Sequence, residues 1–316
     1  MEKIKDHLKL FWIAMKQLGR HQPLILASST AFFTIFSIPP MLIIVINILS
    51  LQFKSENISY TFYAQIESIF GSASSEQVQI IAGNFSAMAS SPWITVAGSA
   101  FLIFVATNLF KVIRMSINQI WQVRIKRAPK LWYKLKDRSI ALGIIFLTGI
   151  FFLLSTLSDS FLSFLDKELS FDFFNVDTLL LIIVSKIISV FFIAMWFMAL
   201  FRYLPSGRLH WKGISVGAIV TAILFSLGKL ALERFLVNSN IDNVFETSTS
   251  IVLIMLFIFY SSLIMYYGAS FTLIYSNYIG IDVNPRKNAQ RFEVQYIENT
   301  EEHKAGELPN PGVEAE

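Results

Sequence analysis

Two lysines stand inside long apolar stretches, and they have the strongest claim on chemistry in this chain of 316 residues. Lys186 lies in LLLIIVSKIISVFFIAMWFMAL and Lys229 in SLGKLALERFL. An ammonium at the centre of a bilayer costs about 2.5–3.5 kcal/mol on insertion scales, so it calls for a partner, a wet cavity or a bound anion. If both face inward, they make an electropositive cavity suited to an anionic headgroup or solute, because low-dielectric walls strengthen the attraction. The bland alternative is snorkelling, in which a four-carbon stem carries the charge toward the interface. Ser185 and Ser189 flank Lys186, and Glu233 follows Lys229 at the i,i+4 spacing of a helix-face ion pair. Both readings stay open.

A second feature is AFFTIFSIPPMLIIVINIL, where Pro39 and Pro40 remove two backbone donors and disfavour helix at Ile38. A kink or break is expected. Such an interruption can gate or line a binding site, or simply bend a helix whose freed groups are met by Ser37 and Thr34. Gly268, Ala269 and Ser270 in SSLIMYYGASFTLIY read as a seam for close helix approach, while the phenols of Tyr260, Tyr266 and Tyr267 need partners inside a bundle. Asn108 and Asn118 read as hydrogen-bonding helix contacts.

Enzyme chemistry has little to stand on. His7, His21, His210 and His303 are scattered without metal-ligand spacing, and the chain has no cysteine, so no zinc signature, thiolate site or thiol nucleophile is available. Walker A and GxGxxG patterns are absent. No catalytic residue, metal or cofactor is expected. The segment 111–138 is rich in Lys, Arg and Trp, but anionic lipid contact explains it with fewer assumptions than nucleic acid does.

The elements that must position these residues follow from composition. With 54% apolar residues, 15% aromatic, 15% charged and a mean hydropathy of +0.56, the chain reads as a membrane protein rather than a soluble globule. Six segments are long and apolar enough to cross a hydrocarbon core: 24–51, 93–110, 139–158, 178–201, 213–235 and 249–279. They lack the alternation of barrel strands, so the expected fold is an all-α bundle of six transmembrane helices. Lys and Arg alternate between the connecting segments, 21 on one side and 3 on the other, which by the positive-inside rule puts both termini in the cytoplasm. The first span is expected to serve as the insertion signal.

Residues 1–23 carry Ile4, Leu8, Phe11, Met15 and Leu18 at helical spacing amid lysines, as in an amphipathic helix on the cytoplasmic membrane surface. Residues 24–280 form the membrane domain, with an external loop at 52–92 long enough for short helices of its own. Residues 281–316 are expected to be a disordered cytoplasmic tail. Three spans either side of the 159–177 loop would give halves of opposite topology, without a sequence match between them.

Four stretches taken together resemble the YihY/BrkB family of bacterial inner-membrane proteins, once labelled ribonuclease BN. They are ASSTAFFTIFSIPPMLIIVI at 27–46, NLFKVIRMSINQIWQVR at 108–124, FRYLPSGRLHWKGISVGAI at 201–219 and SSLIMYYGASFTLIY at 261–275. The most specific element is the turn with Tyr203, Leu204 and Pro205, followed by Trp211 and the small residues Gly217 and Ala218. The resemblance covers nearly all of residues 10–280 and implies six membrane helices with no secure activity. Its last helix commonly carries Gly-Ala-Glu, whereas this chain has Gly268, Ala269 and Ser270, so a proton- or ion-coupling carboxylate is not reproduced here.

The expected function is transport or flipping of an anionic lipid or amphiphile in the bacterial cytoplasmic (inner) membrane, with Lys186 and Lys229 on the headgroup and Pro39–Pro40 admitting movement. The alternative is a non-catalytic scaffold for envelope assembly; the ribonuclease reading is disfavoured for want of metal ligands or a general-base pair. Expected partners are membrane lipids, anionic ones first, with a homo-oligomer or an envelope-assembly protein next and no nucleic acid.

Overall fold

The computed structural model describes residues 2–50, 108–126, 178–238, 249–286 and 288–292, with isolated positions between 63 and 83 and at 104, 139, 143, 144 and 147. The described chain is helical, with four very short strands. In chain order the elements are α1 (Glu2–Gly19), α2 (Pro23–Ser50), α3 (108–120), β1 (Val123–Ile125), α4 (Thr178–Tyr203), β2 (Gly207–Arg208), α5 (Trp211–Asn238), α6 (Thr249–Tyr278), β3 (Asn284–Pro285) and β4 (Ala289–Arg291). By length and composition, Lys186–Tyr203, Trp211–Ala231 and Ile254–Tyr278 can each cross a membrane. The sequence-expected spans at 93–110 and 139–158, and the loop at 159–177, fall mostly or wholly outside the described residues. Within 52–92, the described positions are helical, and Ser75 Oγ donates to the Tyr63 carbonyl at 3.0 Å.

The helix ends follow local chemistry. α4 stops at Tyr203 because Pro205 disfavours helix at Leu204. His210 Nδ1 accepts the Lys212 N–H at 3.3 Å at the start of α5. α6 ends where Gly280 turns left-handed at φ 74°, with Ile281 N–H reaching back to the Ser276 carbonyl at 2.9 Å.

α6 packs against α5, α2 and α1, and α4 packs against α5. The α5–α6 contact is built from glycines facing hydroxyls in antiparallel register. Gly213 lies against Ser276, Gly217 against Thr272, and Gly268 against Thr221, so the small residue changes helix along the seam. A Cβ at any of the three glycines would collide with the opposing side chain. Each hydroxyl turns back to its own helix: Thr221 Oγ1 donates to Gly217 O at 2.6 Å, Thr272 Oγ1 to Gly268 O and Ser276 Oγ to Thr272 O, both at 2.7 Å. The seam continues to Gly228, whose missing side chain admits the ring of Tyr260.

Two expectations need correction. The backbone of α2 stays helical through Pro39 and Pro40, so no break interrupts Pro23–Ser50. Thr34 Oγ1 donates to Thr30 O and Ser37 Oγ to Phe33 O, each at 2.7 Å, short of the Ile35 and Phe36 carbonyls that the prolines release. Residues 281–292 are not a free tail: β3 pairs antiparallel with β2 and β4 with β1, in the registers Gly207↔Pro285 and Ile125↔Ala289. Residues 293–316 lie outside the described residues. α1 is docked on α6 through Leu10, Ala14 and Leu18, all buried, a contact that the sequence did not indicate, while Phe11 and Met15 of its expected apolar face stay exposed.

Between α1 and α2 the chain turns through Gln22 at φ 51°, and His21 is buried there with Gln17 Nε2 at 3.4 Å from its Nε2. Burial, with Arg20 adding to it, holds the imidazole below its ordinary value. A depressed pKa means neutral His21 favours the folded state above the ordinary imidazole range, and that contribution is lost as pH falls through the folded pKa. The melting temperature in detergent should therefore fall on acidification below about pH 6.5 in the wild type, and less steeply in His21→Gln. In the seam, Gly217→Val should cost about 1–3 kcal/mol by overpacking. The milder loss in Gly217→Ala should be partly recovered by adding Thr272→Gly, a coupling readable from the four melting midpoints.

Candidate functional site

Of the sequence-expected site residues, Lys186 is exposed on α4 and Lys229 is half-buried on α5, next to Gly228 where Tyr260 packs. α4 and α5 are antiparallel neighbours joined by the turn at 204–210. Lys186 lies 17 residues before Tyr203 and Lys229 lies 18 after Trp211, so at 1.5 Å per residue they stand about 26 and 27 Å above the turn. The two lysines thus stand on neighbouring helices at similar distances from the turn. Ion pairing with Glu233 falls outside the described side chains. Pro39 and Pro40 lie in helical backbone, and their side chains are likewise outside the description.

The opposite end of the bundle gathers the remaining motif residues. Pro205 and its neighbours Leu204, Ser206 and Gly207 are buried, while Tyr203 and Trp211 remain exposed on the flanks. Asn118 of α3 clasps the turn at two points: its Oδ1 accepts the Ser206 N–H at 2.7 Å and its Nδ2 donates to Ser206 Oγ at 3.1 Å. Arg114, one turn earlier and also buried, donates from Nε to the Leu204 carbonyl at 2.8 Å. Arg286 adds Nη2 to the Tyr203 carbonyl at 2.9 Å and its backbone N–H to Ser206 O at 3.0 Å. Arg202 donates to Leu209 O at 2.7 Å and lies over the Trp211 ring at 4.9 Å from its centroid. Gly207 admits no side chain, because Val283, Val123 and Trp121 already occupy the space.

Five consecutive residues of α6 tie the other elements to this end. The Tyr266 hydroxyl is hydrogen-bonded to Thr30 of α2. Tyr267 donates to the Phe11 carbonyl of α1 at 3.1 Å, and Ser270 Oγ to the Ala14 carbonyl at 2.8 Å. Gly268 receives Thr221 of α5, and the Ala269 carbonyl accepts Trp121 Nε1 at 2.9 Å. Gly217, Gly268 and Ala269 therefore act as packing positions, and Ser270 serves as a fastening hydroxyl.

Sequence reasoning placed Asn118 as a helix-to-neighbour hydrogen bond. It missed Arg114, Arg202 and Arg286, which positive-inside counting treats as interchangeable charges, and the carbonyls they serve are not visible in sequence. Among the described residues no group of three or more His, Cys, Asp or Glu is placed to hold a metal ion. The chemistry this arrangement offers is carbonyl capture and shape, with cations at the far end.

Removing the clasp should be costly. Asn118→Ala leaves the buried Ser206 N–H without its acceptor, an expected loss of about 1–3 kcal/mol in detergent melts. Ser270→Ala should lose about 1 kcal/mol, and Ser270→Glu more at neutral than at acid pH, since only a protonated carboxyl can donate to Ala14 O.

A family model described as virulence factor BrkB matches residues 14–293. The chain is 25% identical over 270 residues to a UPF0761 membrane protein of Vibrio campbellii, covering 85% of this chain and 82% of that one. It is similar to the UPF0761 membrane protein of Vibrio parahaemolyticus at 28% over 226 residues, 72% of this chain and 68% of the relative. To that of Aliivibrio salmonicida it is 24% identical over 276 residues, 86% of each. No solved structure matches.

Proposed function

The chain belongs to the BrkB family of membrane proteins, and from that premise we propose that it moves or flips an anionic lipid or amphiphile across the bacterial inner membrane. In this reading it crosses the bilayer six times with both termini in the cytoplasm, and it performs no catalysis. The observation that carries the reading is the similar distance from the turn of Lys186 and Lys229 on adjacent helices, with Lys186 on the exposed surface among Ile187 and Phe191.

Their level favours headgroup contact over a central cavity. Counting from Tyr203, where the polar turn begins, a hydrocarbon core of about 30 Å ends only some 4 Å past Lys186. An ammonium there is within its stem's reach of the headgroups of the far leaflet. A phosphate on a lipid beside α4 and α5 would meet two cations at similar distances from the turn, and desolvation by the acyl chains would strengthen that attraction. Release on the other side is the transport step.

A second reading, a non-catalytic scaffold for envelope assembly, draws on the other end of the molecule. There Asn118, Arg114 and Arg286 close the 203–206 turn into a fixed surface flanked by exposed Tyr203 and Trp211. Such a surface suits a stationary partner.

Native mass spectrometry of gently extracted protein separates the possibilities at their first step. Wild type should retain an anionic phospholipid that the Lys186→Met, Lys229→Met variant loses by tenfold or more. Equal retention by both would sink the lysine site. Reconstituted vesicles then test movement: lysine-dependent translocation of a labelled anionic lipid supports flipping, and binding without translocation favours the scaffold.

A further inference from the structure

α1 has two apolar faces, and α6 covers only one of them. At about 100° per residue, Leu10, Ala14 and Leu18 share one sector and are all buried. The adjoining sector holds Phe11, Met15 and Trp12, which remain 37, 54 and 72% exposed. Beyond these come Lys16, Lys9 and Arg20 in a narrow row, all exposed, with exposed Ile13 at its far edge. Around the helix the order is buried stripe, apolar flank, basic flank.

The height of α1 gives this order a meaning. α6 has 30 residues, about 45 Å of helix, which exceeds a hydrocarbon core of about 30 Å. That core falls within the apolar stretch Ile254–Tyr278, whose last nine residues carry the polar Ser270, Thr272, Ser276 and Asn277. α1 is fastened at this level: Tyr267 holds the Phe11 carbonyl, Ser270 holds the Ala14 carbonyl, and the Phe11 and Phe271 rings lie 4.7 Å apart. An apolar flank at the hydrocarbon boundary, bordered by cations, matches a lipid leaflet with negative headgroups.

We infer that α1 is a membrane-interface helix held on α6, with Phe11, Trp12 and Met15 in the acyl boundary and Lys9, Lys16 and Arg20 on anionic headgroups. The occupant of the uncovered face is thus the leaflet itself. Tyr267 and Ser270 fix the rotation of α1, so the apolar flank cannot roll onto the bundle without losing both bonds. This site is independent of Lys186 and Lys229 and stands or falls without them.

Because the chain has no cysteine, single labels can be placed without background. Full-length protein carrying a spin label at Trp12→Cys, Met15→Cys or Lys16→Cys is reconstituted in nanodiscs of phosphatidylcholine, with and without phosphatidylglycerol. The labels at 12 and 15 should be several-fold more accessible to oxygen than to an aqueous nickel reagent in the anionic discs, and the label at 16 the reverse. Adding Lys9→Glu, Lys16→Glu and Arg20→Glu to the position-15 label should lower its oxygen preference several-fold, with an unchanged size-exclusion profile as the folding control. Aqueous exposure at both 12 and 15 in both disc types would overturn the inference. Shielding from both reagents, with dipolar broadening between labels, would overturn it in favour of a second copy. Equal immersion in neutral and anionic discs would overturn the headgroup role of the basic row.

Discussion

The close approach of α5 and α6 sets the spacing on which the rest of the described structure depends. In lipid there is little hydrophobic drive between helices, so association rests on van der Waals contact and satisfied polar groups. Gly213, Gly217 and Gly268 remove the side chain at each crossing point, and Ser276, Thr272 and Thr221 fill the space from the other side. Since those hydroxyls bond to their own helix four residues back, none of the three faces the seam without a partner. The contact is both tight and polar-neutral, which a Leu-on-Leu contact at greater distance would not be.

Once α6 is fixed against α5, its residues 266–270 distribute that position to α1, to α2 and to Trp121. Much of the binding is side chain to backbone carbonyl. Carbonyls have a second lone pair after the helical bond is made, so a donor can be added without unwinding the helix. Arg114 and Trp121 extend the same device to the 204–210 turn and to α6. Buried arginine is costly when unpaired, and here it is spent on a carbonyl that Pro205 and the end of α4 would otherwise leave with fewer donors.

The membrane character, the apolar extents of α4, α5 and α6, and the small-residue seam at Gly268 were legible because each is a local property of composition. The partner glycines Gly213 and Gly217 were visible only as part of a family pattern, since a seam is a relation between two helices. The buried stripe of α1 was not legible, for a physical reason. Periodicity weights large apolar residues, whereas close docking on Ser270 and Tyr267 uses Ala14, and the large Phe11 and Met15 fall beside the contact. The strands β3 and β4 were missed because two- and three-residue polar strands with Pro285 carry no strand signature. They exist because the turn at Gly207 and the end of α3 present edges for them to pair with.

Ser270 fastens α1 with a donor that an ionised carboxylate could not supply. The resemblance places an acidic residue there, and an ionised carboxylate can only accept hydrogen bonds. The Ala14 carbonyl, which Ser270 meets at 2.8 Å, can only accept as well. A carboxylate in this position would have to be protonated, or α1 would have to sit elsewhere. With serine the donor is permanent and independent of pH, so α1 is held on α6 through the full range in which the acid would titrate. The same atom cannot then serve as a proton carrier. In this chain the Ser270 hydroxyl is committed to holding α1 on α6.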